Sequence, residues 1–372
     1  MPRVADAGHA DRPAIAGGRA VPGYRRPLQP CRQLFGVYAT LLALCFAAPL
    51  SAATGTAATG GAAAEPRDAR AWLMRIHEAA GTRNFQGIFV VTAGGAAASA
   101  RIAHFSVGDN QYERIESLDG KTRRVYRYND VVHTVWPHNR VVLIEQRERL
   151  RSFPALLHSG DDHIAEFYEV RLQGTDRVAG RSANVLELRP RDAFRYGYRL
   201  WSDSESGLLL RSDVVGERGE VLASSAFSEV SIGIRSQPES VLQAMRKNDG
   251  LRVVRPLLVP TRLEDEGWTL RDTVPGFRQV SSVKRPLDAT GEQPRGEAQP
   301  ADTLQAIYAD GLAYVSVFIE PFDAARHGQP MLTVSGATHT LTRHRAETWI
   351  TAVGDVPAET LRLFARAIER TR

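Results

Sequence analysis

The chain has 372 residues, a formal net charge of +5 and two cysteines. Both cysteines, Cys31 and Cys45, lie within the first 53 residues, so the remainder has no disulfide and no thiolate metal site. Without those 53 residues the chain has 41 basic and 40 acidic residues, and this balance gives no basis for nucleic-acid binding.

The N-terminal segment has the pattern of a secretory signal. Arg25, Arg26 and Arg32 precede the apolar run 34–50, and the small residues 51–53 follow it. We therefore expect export and cleavage after Ala53. A membrane anchor is the alternative, but the run is slightly short for a membrane-spanning helix and ends next to Pro49.

A helix is predicted to open the folded part of the chain. Residues 54–65 are rich in alanine, glycine and threonine, which predicts a disordered tether. Pro66 then starts a helix that Gly81 ends. Its apolar residues recur at helical spacing on one face, which we interpret as the face that covers a core: Trp72, Leu73, Ile76 and Ala80.

Short extended segments with turn signals between them follow the helix. This spacing is typical of antiparallel all-β architecture, and it predicts a first domain of one large curved sheet over 66–230. Besides the meander 194–221, the predicted strands are 85–92, 100–107, 111–118, 122–128, 131–136, 141–146, 168–173, 184–188 and 221–230.

The stretch 194–221 gives the clearest strand signal. Tyr196, Tyr198 and Leu200 occupy alternate positions, the period of a half-buried strand. Arg195 and Arg199 are predicted to point to the opposite, polar face. Polar and glycine-rich turns follow, so the stretch predicts an antiparallel meander with one apolar face.

One segment inside the first domain, 150–164, does not fit the strand pattern. Phe153, Leu156 and Leu157 are too apolar for a solvated loop, which indicates a short helix or lid over the open face of the sheet. An ordinary connection packed on the core fits these residues equally well.

The remaining residues predict a linker, 231–261, and a smaller α+β domain, 262–372. The polar, proline-rich range 286–300 predicts a flexible insertion, and Pro357 starts a final helix. That helix has one apolar face: Leu361, Phe364, Ala365 and Ile368. The predicted strands are 268–272, 278–284, 303–308, 314–320, 336–344 and 346–353.

The residues give no support for catalysis. The chain has no nucleophile-elbow, zinc-protease, phosphate-loop or dinucleotide-binding motif. His158, Asp161, Asp162 and His163 lie close together, but their spacing matches no metal-ligand pattern, and we interpret them as a polar loop. We therefore predict no enzyme activity, no metal site and no cofactor.

Binding in the concave face of an open sheet fits the pattern better. An apolar concave face can hold an acyl chain, although the same residues can instead fill a solid core. The pocket candidates are Phe89, Val91, Phe105, Tyr126, Tyr128, Trp136, Phe153, Leu156, Leu157, Leu186, Leu188, Tyr198 and Leu200. Basic candidates for lipid phosphates at the rim are Arg123, Arg124, Arg127 and Arg151, whose alternative is a solvated strand face.

Several stretches resemble the MucB/RseB family of periplasmic regulators of the envelope-stress sigma factor. They are YGYRLWSDSESGLLLRSDVV (196–215), VPGFRQVSSVKRPL (274–287), YADGLAYVSVFIE (308–320) and AETWITAVGDVPAETLRLFARAIE (346–369). The resemblance covers the chain after the leader, in order. The range 286–300 and the long leader depart from the family pattern.

This resemblance implies a regulatory binding protein in the periplasm. It implies a large LolA-like half-open β-barrel with helices, followed by a smaller domain. The implied partner is the periplasmic part of a membrane anti-sigma factor of the RseA/MucA type, shielded from proteolysis and released by lipopolysaccharide or another acylated ligand. A lipid or lipoprotein carrier of the LolA/LolB type is the alternative, and a homo-oligomer remains open.

Overall fold

The computed structural model describes residues 66–146, 164–272, 274–286 and 302–371. The predicted signal sequence and tether lie outside the described residues. So do all but the first residue of the predicted insertion 286–300 and all but the last residue of the predicted lid 150–164.

The first helix lies where the sequence predicts it. Helix α1 spans Pro66–Thr82 and has its proline in the first turn, where the missing N–H is not needed. Leu73 and Ile76 are buried one turn apart and pack on strands of the first sheet, so the apolar stripe covers the core as expected.

Twelve strands form the first sheet, and eleven of them agree with the predicted strands to within a few residues. The sheet order is β12-β6-β5-β4-β3-β2-β1-β11-β10-β9-β8-β7. The strands are β1 (Phe85–Ala93), β2 (Ala96–Val107), β3 (Asn110–Ser117), β4 (Arg124–Tyr128), β5 (Val131–Trp136), β6 (Val141–Gln146), β7 (Tyr168–Val178), β8 (Arg181–Pro190), β9 (Gly197–Asp203), β10 (Leu209–Val215), β11 (Val221–Ile232) and β12 (Arg252–Val254).

This sheet is curved and open. Its outermost strands, β7 and β12, are not hydrogen-bonded to each other. Strand β7 nevertheless touches β11, although β8, β9 and β10 lie between them, because the sheet curls at this end. Val178 of β7 accordingly joins the same buried cluster as Phe89 and Phe227. The expected mainly β architecture is confirmed.

The residues predicted as a linker contain regular structure. Helix α3 (Pro238–Arg246) packs through Val241 and Met245 on the first sheet, and β12 extends that sheet by pairing in parallel with β6. A short helix, α2 (Ile164–Phe167), precedes β7. The boundaries of the two domains stay a prediction.

A second, seven-stranded sheet has the order β13-β15-β16-β17-β20-β19-β18. Helix α4 (Ala358–Ala367) packs on it through Leu361 and Phe364. Ile368, predicted on this helix, instead starts a strand that pairs with β14, because the helix ends one residue earlier. The seven strands are β13 (Val259–Pro260), β15 (Arg278–Pro286), β16 (Asp302–Ala309), β17 (Tyr314–Pro321), β18 (Leu332–Ser335), β19 (Thr338–Arg345) and β20 (Thr348–Gly354). A separate two-stranded sheet is formed by β14 (Trp268–Leu270) and β21 (Ile368–Arg370).

No helix within the described ranges combines the length and the apolar composition that crossing a membrane requires.

Candidate binding site

An ion pair between Glu145 and Arg285 shows which faces of the two sheets are turned towards each other. Arg285 Nη2 on β15 lies 3.6 Å from Glu145 Oε1 on β6, and both side chains are buried. We call the face of the first sheet that bears Glu145 its inner face. Directly paired residues share a face, so the pairs that link Glu145, Val132, Arg127 and Glu113 extend it from β6 to β3.

The pairing assigns a face to every predicted pocket residue in the described strands. Pairing of β3 with β2 and of β2 with β1 carries the inner face to Phe89 and Val91. Val91 pairs with Ser225, which pairs with Ser212, and Ser212 pairs with Leu200. Seven candidates lie on the inner face: Phe89, Val91, Trp136, Leu186, Leu188, Tyr198 and Leu200. Phe105, Tyr126 and Tyr128 lie on the opposite, outer face.

Four inner-face candidates form one cluster with α1. Leu186, Leu188, Tyr198 and Leu200 are each at most 3 % exposed and pack with residues of α1. Leu312, from the turn between β16 and β17, enters the same cluster. The second domain therefore helps to cover the inner face of the first sheet.

The outer-face candidates are covered by α3. Phe105 is buried, Tyr126 and Tyr128 are half-buried, and all three belong to a cluster with Val241 and Met245 of the helix. The structure therefore does not bring them together with the inner-face candidates.

The basic rim candidates also do not lie together on one surface. Arg124 is exposed and its Nε lies 2.9 Å from Glu116 Oε1, whereas Arg123 is half-buried. Arg127 is buried on the inner face, 3.6 Å from Glu113, and its Nε donates to the carbonyl oxygen of Asn129. This burial corrects the prediction for Arg127, because alternation along β4 turns it away from Arg124. Arg151, Phe153, Leu156 and Leu157 lie outside the described residues.

Arg195 connects the two domains, which corrects its predicted position on a polar face. The segment between β8 and β9 carries it into the interface, where it is 1 % exposed. Its Nη1 donates to Asp310 Oδ2 at 2.7 Å, its Nε donates to Asp192, and its Nη2 donates to the carbonyl oxygen of Pro275. The rings of Phe167, Tyr168 and Phe277 lie within 6 Å of the guanidinium.

Asp310 is held from several directions in the turn between β16 and β17. Its Oδ1 accepts the N–H groups of Leu312 and Ala313, and its Oδ2 also accepts the hydroxyl of Tyr168. Burial raises the pKa of Asp310, whereas Arg195 and the two N–H groups oppose that rise. In the sequence, Arg195 stands between two aromatic residues, Phe194 and Tyr196, and this pattern is the one signal that could have indicated a buried arginine.

The face of the second sheet that bears Arg285 is polar, and we call it the polar face. Arg285 pairs with Thr303, and alternation along β16 and β17 places Ser316 and Glu320 on the same face. Four buried hydroxyl groups on this face have no hydrogen-bond partner among the described residues: Thr303, Ser316, Thr340 and Thr351. The carboxylate of Glu320, also on this face, has Arg326 and His327 as partners. Unsatisfied buried groups are rare, so this face can receive a polar partner.

A metal site finds no support in the described ranges. They hold no group of three or more histidine, cysteine or acidic side chains placed to bind a metal ion. The cluster from His158 to His163 lies outside those ranges.

Family models match both halves of the chain. The model described as MucB/RseB N-terminal domain matches residues 68–245, and the MucB/RseB C-terminal domain matches residues 262–369. The sigma factor AlgU regulatory protein MucB of Pseudomonas aeruginosa is 31% identical over 82% of this chain and 92% of its own. The sigma-E factor regulatory protein RseB of Escherichia coli is 26% identical over 80% and 90%. Both relatives carry the name of a regulator.

Solved structures of the family match this chain over a similar length. A crystal structure of MucB in complex with MucA(peri) has a TM-score of 0.60 and 27% identity, covering 82% of this chain and 100% of that one. The complex structure of Pseudomonas aeruginosa MucA/MucB has a TM-score of 0.63 and 28% identity, with coverage of 82% and 99%.

Proposed function

The chain belongs to the MucB/RseB family, and we propose that it binds the periplasmic domain of a membrane anti-sigma factor of the RseA/MucA type. Bound in this way, it shields the anti-sigma factor from regulated proteolysis and restrains the envelope-stress sigma factor. This role requires export to the periplasm, with removal of the leader after Ala53.

The observation that carries this proposal is the match to a relative solved together with MucA, which extends over 99% of that relative's chain. Both domains take part in the match, whereas a simple lipid carrier needs only the first. We therefore rank a carrier of the LolA/LolB type second. The open, curved first sheet is the feature that supports it.

We place the partner between the two domains, next to the polar face of the second sheet. Its buried hydroxyl groups have no hydrogen-bond partner within the described ranges, and a peptide backbone supplies N–H and C=O groups that pair with them. The contacts from Arg285 to Glu145 and from Arg195 to Asp310 flank this face at the two ends of β16.

Release by an acylated ligand such as lipopolysaccharide is the regulatory part of the proposal. Burial of an acyl chain contributes roughly 0.8 kcal/mol per CH₂, so six carbons supply about 5 kcal/mol, enough to reverse a two-state equilibrium. We expect the inner-face candidates around Leu186 and Leu200 to line the site for the acyl chain. Such a ligand displaces the partner only if it binds the partner-free form more tightly.

Protease protection tests the shielding. The periplasmic segment of the host's anti-sigma factor is digested with the protease that starts its degradation, with and without this protein. We expect the protein to slow cleavage, and lipopolysaccharide to restore it. Equal cleavage rates with and without the protein contradict the proposal.

Charge reversal tests the basic rim. The double variant Arg123→Glu/Arg124→Glu is expected to weaken capture of lipopolysaccharide, while Lys121→Glu, an exposed cation nearby, serves as the control. Unchanged lipid capture by the double variant removes these two arginines from the lipid site.

A further inference from the structure

The connection between the two sheets carries exposed apolar side chains. It runs from β12 at the edge of the first sheet to β13 at the edge of the second. Within it, Leu257 is 73% exposed, and Val253 and Val259 are also exposed. Pro256 and Pro260 restrict the backbone around them. These side chains protrude from the edge rather than filling the core, which points to contact with something outside the chain.

Basic side chains flank these apolar residues along the chain. Arg252 and Arg255 are exposed within the connection, and Arg246 and Lys247 are exposed at the end of α3. The backbone N–H of Arg252 donates to the carbonyl oxygen of Arg140 at 2.7 Å, which places a further exposed arginine beside them.

The charges in this region are poorly balanced. Asp249 is the one acidic residue in the range 246–260, against four basic residues. None of these four forms an ion pair within the part of the chain that the structure describes. Burial lowers the pKa of the His133 imidazole on β5, and the nearby positive charge of Arg255 lowers it further. Arg255 therefore lies close to the first sheet.

From this combination we infer that the edge formed by Arg140 and residues 246–260 docks on an anionic phospholipid surface. Arginine and lysine bind lipid phosphates, and exposed leucine and valine side chains enter the headgroup region between them. An acidic peptide meets the same charges but finds only a three-residue strand edge at β12, so the protruding Leu257 stays uncovered by it.

This docking goes beyond the binding of an anti-sigma factor. It holds the protein at the membrane in which such a partner is anchored, and it needs neither the polar face nor the inner face. The two proposals therefore fail independently.

Vesicle co-sedimentation tests the docking with the full chain purified from a bacterial periplasm. The vesicles contain phosphatidylglycerol with phosphatidylethanolamine, and phosphatidylcholine vesicles are the neutral comparison. We expect binding to the anionic vesicles alone, weakened by added salt. Binding that is equal on both kinds of vesicle, or absent from both, overturns the proposal.

Two variants locate the surface. Arg252→Glu/Arg255→Glu is expected to weaken anionic-vesicle binding by about tenfold or more, since each lysine or arginine near the surface contributes about 1 kcal/mol. Leu257→Asp is expected to weaken it as well. The matched control, Lys121→Glu/Arg218→Glu, reverses two exposed cations in turns of the first sheet and is expected to bind as the unmodified protein does.

The variants also separate the alternatives. If the Arg252→Glu/Arg255→Glu protein binds vesicles as well as the unmodified protein, the docking surface is wrong, whether or not a pocket captures lipid. If the unmodified protein ignores vesicles but binds a polyglutamate peptide through these arginines, an acidic protein segment replaces the membrane as the occupant.

Discussion

Arg195 and Asp310 bind each other at 2.7 Å across the domain interface, although 115 residues separate them in the sequence. Both side chains are fully buried, and both have further hydrogen bonds. A buried, fully partnered ion pair of this kind fixes the geometry of the groups that it joins, and here it joins the β8–β9 segment to the β16–β17 turn.

Asp310→Ala tests the energetic weight of this pair. The change leaves the Arg195 guanidinium buried without its carboxylate, so we expect a loss of about 3–5 kcal/mol in the free energy of unfolding. Denaturant titration measures it. The control is Glu359→Ala, which breaks the exposed pair with Arg362 and is expected to cost less than about 1 kcal/mol. Equal losses for the two variants contradict this account.

Glu320→Gln tests a buried carboxyl group on the polar face. Burial raises the pKa of Glu320 to about 7, with Arg326 opposing the rise and Asp323 adding to it. His327 Nε2 lies 3.4 Å away, and its Nδ1 accepts the N–H of Asp323, which indicates the neutral ring with its proton on Nε2.

The sign of the pH effect follows from that raised pKa. The folded protein holds the Glu320 proton more tightly than the unfolded chain, whose carboxyl has a pKa near 4.5. Stability from this group is therefore complete below about pH 4.5 and is lost as the pH rises towards 7. We expect Glu320→Gln to remove this part of the pH dependence in unfolding measurements, whereas Glu347→Gln, at an exposed position nearby, retains it.

Gly336→Ala tests a further contact between the domains. An added Cβ would lie 2.6 Å from the Ala93 Cβ and from the Leu222 carbonyl oxygen, and Gly336 also has a φ of +60°. Gly95, with a φ of +81° in the β1–β2 turn, has nothing within 4 Å of such a Cβ. Gly95→Ala thus reports backbone strain alone, about 1 kcal/mol. We expect Gly336→Ala to destabilise the protein further, and equal melting temperatures of the two variants would argue against a tight contact.

The local sequence pattern was sufficient to predict most of the strands. Alternation of apolar residues and glycine-rich or Asn-Asp turns predicted eleven strands of the first sheet, because both signals act within a few residues. The short strands β12, β13, β18 and β21 were not predicted, since each is held by a partner strand rather than by its own composition.

The candidate site depended on information that the local pattern lacks. Alternation predicted a polar face for Arg195, but this residue precedes β9, and only the tertiary contact with Asp310 decides that it is buried. The inner and outer faces follow from register across neighbouring strands, including the bulges after Leu172 and Leu209. For this reason Phe105 and Phe89 were grouped together in the sequence, whereas they lie on opposite faces.

Calorimetric titration with the periplasmic segment of the host's anti-sigma factor tests the proposed function most directly. The account predicts saturable binding to this protein, and loss of that binding once lipopolysaccharide fragments are added. No heat of binding from the segment, in a sample that still captures the acylated ligand, would contradict the regulatory role and favour the lipid carrier.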